Sequence, residues 1–197
     1  DVYKKGPEYF PKKFTVTNAN IDAALLMNDQ KLGSDEEIFN LLDKAYKEDR
    51  DGFKNPKALY LYFSTLVDLN AAGKKDLQEV FDTYDDVTGK IAEENQELGE
   101  TIVKYVPKED AGTLTSKETK ILAAARQNGE NYEKISGSVD AKLGKLADCD
   151  NLIPLYQKNF EAHKTDAAWL KSAAGRMDDK GCTGDPMFVK LVEALDK

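Results

Sequence analysis

Few side chains in this sequence are of the types that carry out chemistry. It contains one histidine, His163, and two cysteines, Cys149 and Cys182. Neither cysteine has a histidine close by in the sequence, so a thiolate activated by a neighbouring base is not indicated. A zinc site needs about four ligands, which one histidine and two cysteines do not supply. We interpret His163 as a surface residue near a helix end, where a cation is favoured.

Motifs for other ions and for nucleotides are incomplete. The run from Asp49 to Gly52 begins like a calcium loop, but the later ligands and the closing Glu are missing. Three Gly-Lys pairs lack the upstream glycine of a phosphate loop. Catalytic acids must converge in a cleft, so we interpret Asp85-Asp86 and Glu93-Glu94 as a solvated helix face. We therefore predict no catalytic residues, no metal site, no cofactor and no enzymatic activity.

The spacing of the two cysteines is more informative than their reactivity. Each precedes a predicted amphipathic helix, and they lie 33 residues apart, close to the period of about 34 residues of helix–turn–helix repeats that stack into a solenoid. Because Cys149 and Cys182 occupy equivalent positions in successive repeat units, we favour a disulfide between them. The alternative is two unrelated thiols. A disulfide would indicate an oxidising compartment, such as a periplasm or the cell exterior.

Composition limits the classes of partner. The chain has 197 residues and a net charge of −8, from 36 acidic and 28 basic residues. This acidity argues against nucleic acid as a partner, because phosphates would repel it. No apolar run approaches the roughly 20 residues that span a bilayer. The sequence starts at Asp1 without Met, which we interpret as a mature or trimmed chain from which a signal peptide has been removed.

The hydrophobic pattern predicts an all-α protein behind an N-terminal arm. Residues 1–33 are predicted as an extended arm with a short helix near 20–27. Two capping boxes, Ser34 to Glu37 and Thr115 to Glu118, predict helix starts. We assign residues 34–197 to one helical repeat domain.

Two long helices are predicted between residues 76 and 147. Apolar residues recur every seven positions along both, which favours an antiparallel helical hairpin within one chain: Leu77, Tyr84, Ile91, Leu98 and Tyr105, then Ala125, Tyr132, Val139 and Leu146. Three charged residues between them, Asp85, Lys90 and Glu94, are predicted to face water. Residues 150–197 follow as a C-terminal repeat.

Two segments resemble helices of tetratricopeptide repeats. In residues 167–175, Trp169 stands at the large aromatic position and Ala173 at the small one, and residues 62–73 show a similar pattern. The runs Asn-Pro-Lys-Ala-Leu-Tyr-Leu-Tyr-Phe, Asn-Leu-Ile-Pro-Leu-Tyr and Asp-Pro-Met-Phe-Val-Lys-Leu-Val-Glu-Ala are similar to tetratricopeptide-type proteins of Bacteroidetes. The resemblance implies a right-handed solenoid of antiparallel helix–turn–helix units and a location in the cell envelope.

The resemblance also implies a function. Tetratricopeptide-like solenoids are non-enzymatic scaffolds that bind a protein or peptide, and the matching positions on the partner side are Tyr60, Phe63, Leu170 and Lys171. The alternative is a structural helical bundle whose long hairpin mediates assembly.

Overall fold

The computed structural model describes residues 16–196, and within that range the protein is all-α, as predicted. About 80% of the described residues are helical, and they form no strand. The helices are α1 Val16–Asp29, α2 Asp35–Glu48, α3 Pro56–Ala71, α4 Leu77–Asp110, α5 Ser116–Gly144, α6 Cys149–His163, α7 Ala167–Asp179 and α8 Pro186–Leu195. The solenoid arrangement of these helices stays a prediction.

Both predicted capping boxes are present. The Ser34 hydroxyl accepts a hydrogen bond from the Glu37 amide at 3.3 Å, and the Glu37 carboxylate accepts one from the Ser34 amide at 2.8 Å. Thr115 and Glu118 make the same reciprocal pair at 3.3 and 2.9 Å. Each box satisfies two amides that have no partner within the helix, and this fixes where α2 and α5 begin.

Helix α1 includes the short helix predicted near 20–27 and extends it at both ends, so the predicted extended arm is wrong for residues 16–19 and 28–29. Thr17, Ile21 and Ala24 lie on one face of α1 and are buried, as is Ala19 on the other side, and α1 packs against α2 and α3. The β-branched residues at its start have only slightly lower helix propensity, so burial of this face decides the conformation. The rest of the predicted arm, residues 1–15, lies outside the described residues.

Helix α3 forms the centre of the N-terminal part. It is buried on almost every side, as its apolar sequence predicts, and it packs against α1, α2 and α4. The Tyr62 ring stacks on Phe39 and Tyr46 at centroid distances of 5.4 and 5.2 Å. The Tyr62 hydroxyl donates to the Asp43 carboxylate at 2.9 Å, so its polar end remains satisfied.

Helices α4 and α5 run antiparallel and contact each other within the chain, as the heptads predict. The Tyr84 hydroxyl donates to Asp140 at 2.8 Å. Nearer the connecting turn, Arg126 bonds to Glu109 and Lys108 to Glu118, each at 2.6 Å. These contacts join the end of α4 to the start of α5.

Two of the three charged residues predicted to face water are buried instead. Asp85 is exposed, but Lys90 is 2% and Glu94 5% exposed. The Lys90 ammonium lies 2.7 Å from the Glu94 carboxylate, one helical turn away. Glu94 stands three residues after Ile91 and four before Leu98, so helical spacing puts it on the apolar face of the heptad, which the prediction overlooked. The sequence gives no sign of the neighbours that cover Lys90.

The described chain divides into two compact units, with the boundary inside α5, between Asp140 and Ala141. The predicted single domain over 34–197 is therefore not one compact unit. In the second unit, α8 packs against α6 and α7, and α6 also packs against α7. The predicted bridge between Cys149 and Cys182 is present, with the Cα atoms 5.7 Å apart.

Candidate functional site

The four predicted partner-binding residues do not form a surface. Tyr60 is half-buried and Lys171 is exposed, but Phe63 is 0% and Leu170 2% exposed. The prediction is wrong for Phe63 and Leu170. Adjacent positions on a helix differ by about 100° in direction, so a small error in helix phase exchanges core and surface. Tyr60 and Phe63 also belong to the first compact unit, and Leu170 and Lys171 to the second.

The only histidine takes part in an aromatic cluster of the second unit. The His163 ring stacks on Trp169 at 4.8 Å, and Trp169 meets Tyr156 edge-on at 5.6 Å. His163 lies in the last turn of α6, where the sequence places it, and is half-buried. This arrangement packs the end of α6 against the start of α7.

A groove of the first unit is the strongest candidate for a binding site. Two clefts share Asn55 and Pro56, and we call them together the Asn55 groove. One, of about 390 Å³, is lined by Asn55, Pro56, Lys57, Asn131, Lys134 and Ile135. The other, of about 350 Å³, is lined by Asn18, Ile21, Asp22, Gly52, Lys54, Asn55, Pro56 and Asn128.

Local structure fixes the floor of the groove. Asn55 is the N-cap of α3, and its side-chain oxygen accepts a hydrogen bond from the Ala58 amide at 3.1 Å. Its NH₂ group is the part of that side chain left to donate to a ligand. Pro56 occupies the first turn, where a missing amide hydrogen costs nothing.

Helix α5 supplies one wall of the groove. Asn128, Asn131 and Ile135 lie on one face at spacings of three and four residues. Tyr132 is buried, and its hydroxyl donates to the Lys54 carbonyl at 2.8 Å. That bond holds α5 against the loop before α3, so the wall and the floor are positioned together.

The lysines of the groove differ in their partners. Lys54 bonds to Glu97 at 2.8 Å, and this hydrogen bond raises the pKa of the Lys54 ammonium. Lys57 pairs with Asp29 at 2.9 Å. Lys134 is exposed, and its ammonium makes no ion pair with any residue in the described range. Lys134 is thus the groove lysine whose charge is open to a ligand.

Sequence reasoning missed this groove. Its residues come from three separated segments, 18–22, 52–57 and 128–135, and each asparagine by itself is typical of a polar surface. The available signals were the Asn55 cap and the spacing of Asn128, Asn131 and Ile135 on one helix face. Neither signal indicates which other segments lie opposite.

Comparisons with known proteins found no match to the chain among family models, curated proteins or solved structures. The resemblance to tetratricopeptide repeats therefore stays a prediction.

Among residues 16–196, no group of three or more His, Cys, Asp or Glu side chains is arranged to hold a metal ion. Within the same range, no helix is both long and apolar enough to cross a bilayer. The Cys149–Cys182 bridge indicates an oxidising, extracytoplasmic environment.

Proposed function

We propose that this protein is a non-enzymatic helical scaffold, of the tetratricopeptide-like class, that binds an extended segment of a partner protein in the Asn55 groove. The observation that carries the proposal is the lining of the groove: four asparagines and the open charge of Lys134, on elements held by the Tyr132 hydrogen bond. The disulfide supports placing this activity in the periplasm or cell envelope.

The chemistry of the lining favours a peptide. An asparagine side chain offers both donors and an acceptor, as a peptide group does, so a row of asparagines suits an extended backbone. Lys134 favours a carboxylate, supplied by an acidic side chain or by a chain terminus. Pro56 and Ile135 add apolar area on which a side chain of the segment packs.

The proposal is tested with random peptides displayed on phage and selected on the intact, oxidised protein. We expect enrichment of segments that carry a carboxylate. Lys134→Glu and Asn131→Ala should each weaken the selected peptide at least tenfold, or by about 1.4 kcal/mol.

The matched control is Lys120→Glu, an exposed lysine on the same helix outside the groove. It changes the net charge as Lys134→Glu does and should leave the affinity unchanged. Equal losses in the two lysine variants would mean that binding follows net charge, and would contradict a site in the groove.

A further inference from the structure

Among residues 16–196, no third helix packs on the end of the hairpin farthest from the core. We call residues 95–121 the hairpin tip. No residue of the tip is fully buried: the last buried residue of α4 before it is Glu94, and the first of α5 after it is Leu122. A pair of helices alone covers only part of each apolar side chain, so the tip presents apolar surface to solvent.

One face of α4 near the tip is open and carries no charge between residues 92 and 106, and Asp110 in the last turn is the next residue on the same side. Ala92, Gln96, Gly99, Val103 and Val106 fall within an arc of roughly 80° on a helix with about 100° per residue. Val103 is 73% exposed. Apart from the helix itself, no atom lies within 4 Å of where a Cβ of Gly99 would stand. We call these five residues the Val103 face.

Helix α5 does not cover the Val103 face. Tyr84 and Glu109, which contact α5, project roughly 80–100° away from the centre of that face. Leu98 and Tyr105 of the predicted heptad lie roughly 120–140° away on the same side. The apolar surface of α4 is thus wider than pairing with α5 alone requires.

The charges of the tip do not oppose self-association. Residues 95–121 hold four basic and five acidic residues, a net charge of −1, whereas the whole chain carries −8. Beside the Val103 face, Glu100 and Lys104 make no ion pair with any described residue. Glu100 accepts a hydrogen bond from Gln96 at 3.1 Å, and Lys104 lies over the Tyr105 ring at 5.3 Å.

We propose that the Val103 face binds the same face of a second copy of this chain, with the two α4 helices antiparallel. A two-fold axis beside residue 102 sets Glu100 opposite Lys104 of the second copy, and Lys104 opposite its Glu100. Such an interface uses one patch twice, which is the commonest geometry of soluble dimers. Gly99 allows the two helices to approach closely over Val103.

The available area suits a weak, reversible dimer. At about 1.5 Å per residue, the α4 part of the tip is roughly 24 Å long, and a single helix presents a face about 10 Å wide. Two copies that meet only along α4 bury on the order of 500 Å², so reaching the roughly 1,000 Å² of a specific interface also requires exposed α5 residues of the tip. We therefore expect a dimer that dissociates on dilution.

Sedimentation equilibrium of the intact, oxidised chain between about 1 and 100 µM tests the dimer. We expect a monomer–dimer equilibrium in which Val103→Glu raises Kd at least tenfold. Val189→Glu is the matched control, because it places the same charge on another exposed valine, in α8, 50% exposed. Its Kd should equal that of the wild type. Circular dichroism verifies that both variants keep their helix content.

Charge exchange tests the antiparallel register. Glu100→Lys and Lys104→Glu should each weaken the dimer, because each sets like charges opposite one another. The double variant restores both pairs in reverse and should regain most of the lost affinity. A wild type that is monomeric at about 100 µM would overturn the proposal. So would a Kd unaffected by Val103→Glu, or a double variant no tighter than the single ones.

The dimer and the peptide site are independent. Val103→Glu should leave the affinity of selected peptides for the Asn55 groove unchanged, and Lys134→Glu should leave the dimer Kd unchanged. Failure of either proposal is therefore visible without reference to the other.

Discussion

The buried ion pair of α4 is the most unusual feature at the scale of single residues. Lys90 and Glu94 are almost fully buried, and their charged groups lie 2.7 Å apart. The Lys54 ammonium approaches the same Glu94 oxygen at 3.3 Å. Removing two charges from water is costly, so the pair persists only because each charge has a partner at hydrogen-bonding distance.

We expect Lys90→Met to lower the free energy of unfolding by about 3 kcal/mol, because it leaves the Glu94 carboxylate buried with Lys54 as its remaining partner. The double variant Lys90→Met/Glu94→Leu removes both charges and should be close to the wild type in stability. Urea unfolding followed by circular dichroism measures both. A double variant as unstable as the single one would show that the pair itself, rather than the uncompensated charge, sets the stability.

The raised pKa values of three buried tyrosines predict that the fold loses stability at alkaline pH. Burial raises the pKa of Tyr46, Tyr62 and Tyr132, and nearby carboxylates, from Asp86, Asp43 and Glu94 respectively, raise it further. A pKa that is higher in the folded than in the unfolded chain gives stability that is fully present below the unfolded value of about 10. That stability is lost as the pH rises above this unfolded pKa towards the higher pKa of the folded protein.

Phenolate absorbance checks the tyrosine prediction. In urea, all nine tyrosines should titrate near their ordinary pKa of about 10. In the folded protein we expect a smaller change near that pH, followed by a second change that coincides with loss of helix. Complete titration near pH 10 with the helices intact would contradict the burial of these hydroxyl groups.

At the scale of elements, the seam of the long hairpin depends on buried apolar residues of α4. Ile91 is 3% exposed and stands in the predicted heptad. We expect Ile91→Asp to lower the free energy of unfolding by roughly 3 kcal/mol or more, because it buries a charge with no partner. Urea unfolding gives the value.

Ala123→Asp is the control for the seam, since Ala123 is exposed on α5. It should change the stability by less than about 0.5 kcal/mol. A similarly small loss for Ile91→Asp would mean that this part of the seam opens to water.

At the scale of the whole molecule, the disulfide secures the second compact unit. It closes a loop of 33 residues that contains α6 and α7. In the chain-entropy treatment, a loop of that length stabilises by about 4 kcal/mol. The hydrophobic core of so small a unit contributes little stability beyond that.

We expect Cys149→Ser/Cys182→Ser to destabilise the second unit by about 4 kcal/mol. Trp169 is the only tryptophan and lies in this unit, so its fluorescence reports on that unit's unfolding in urea. The hydrogen-exchange protection of the α3 amides, in the first unit, is the internal control and should not change. An unchanged fluorescence midpoint would show that the bridge adds nothing to the packing of α6, α7 and α8.

The sequence by itself determined what is local in this protein. From it we could predict the all-α class, both capping boxes, the antiparallel hairpin and the pairing of Cys149 with Cys182. Each depends on residues a few positions apart or on a simple periodicity. Such signals state how a segment folds and which of its faces is apolar.

Only the tertiary structure decided what covers each face. It buried Lys90 and Glu94, buried Phe63 and Leu170, extended the helix predicted near 20–27 to residues 16–29, and placed a unit boundary inside α5. It also brought three separated segments together as the Asn55 groove. The physical reason is that the burial of a side chain depends on neighbours distant in sequence. A periodic pattern shows which face of a helix is apolar, but it does not show which element packs against that face.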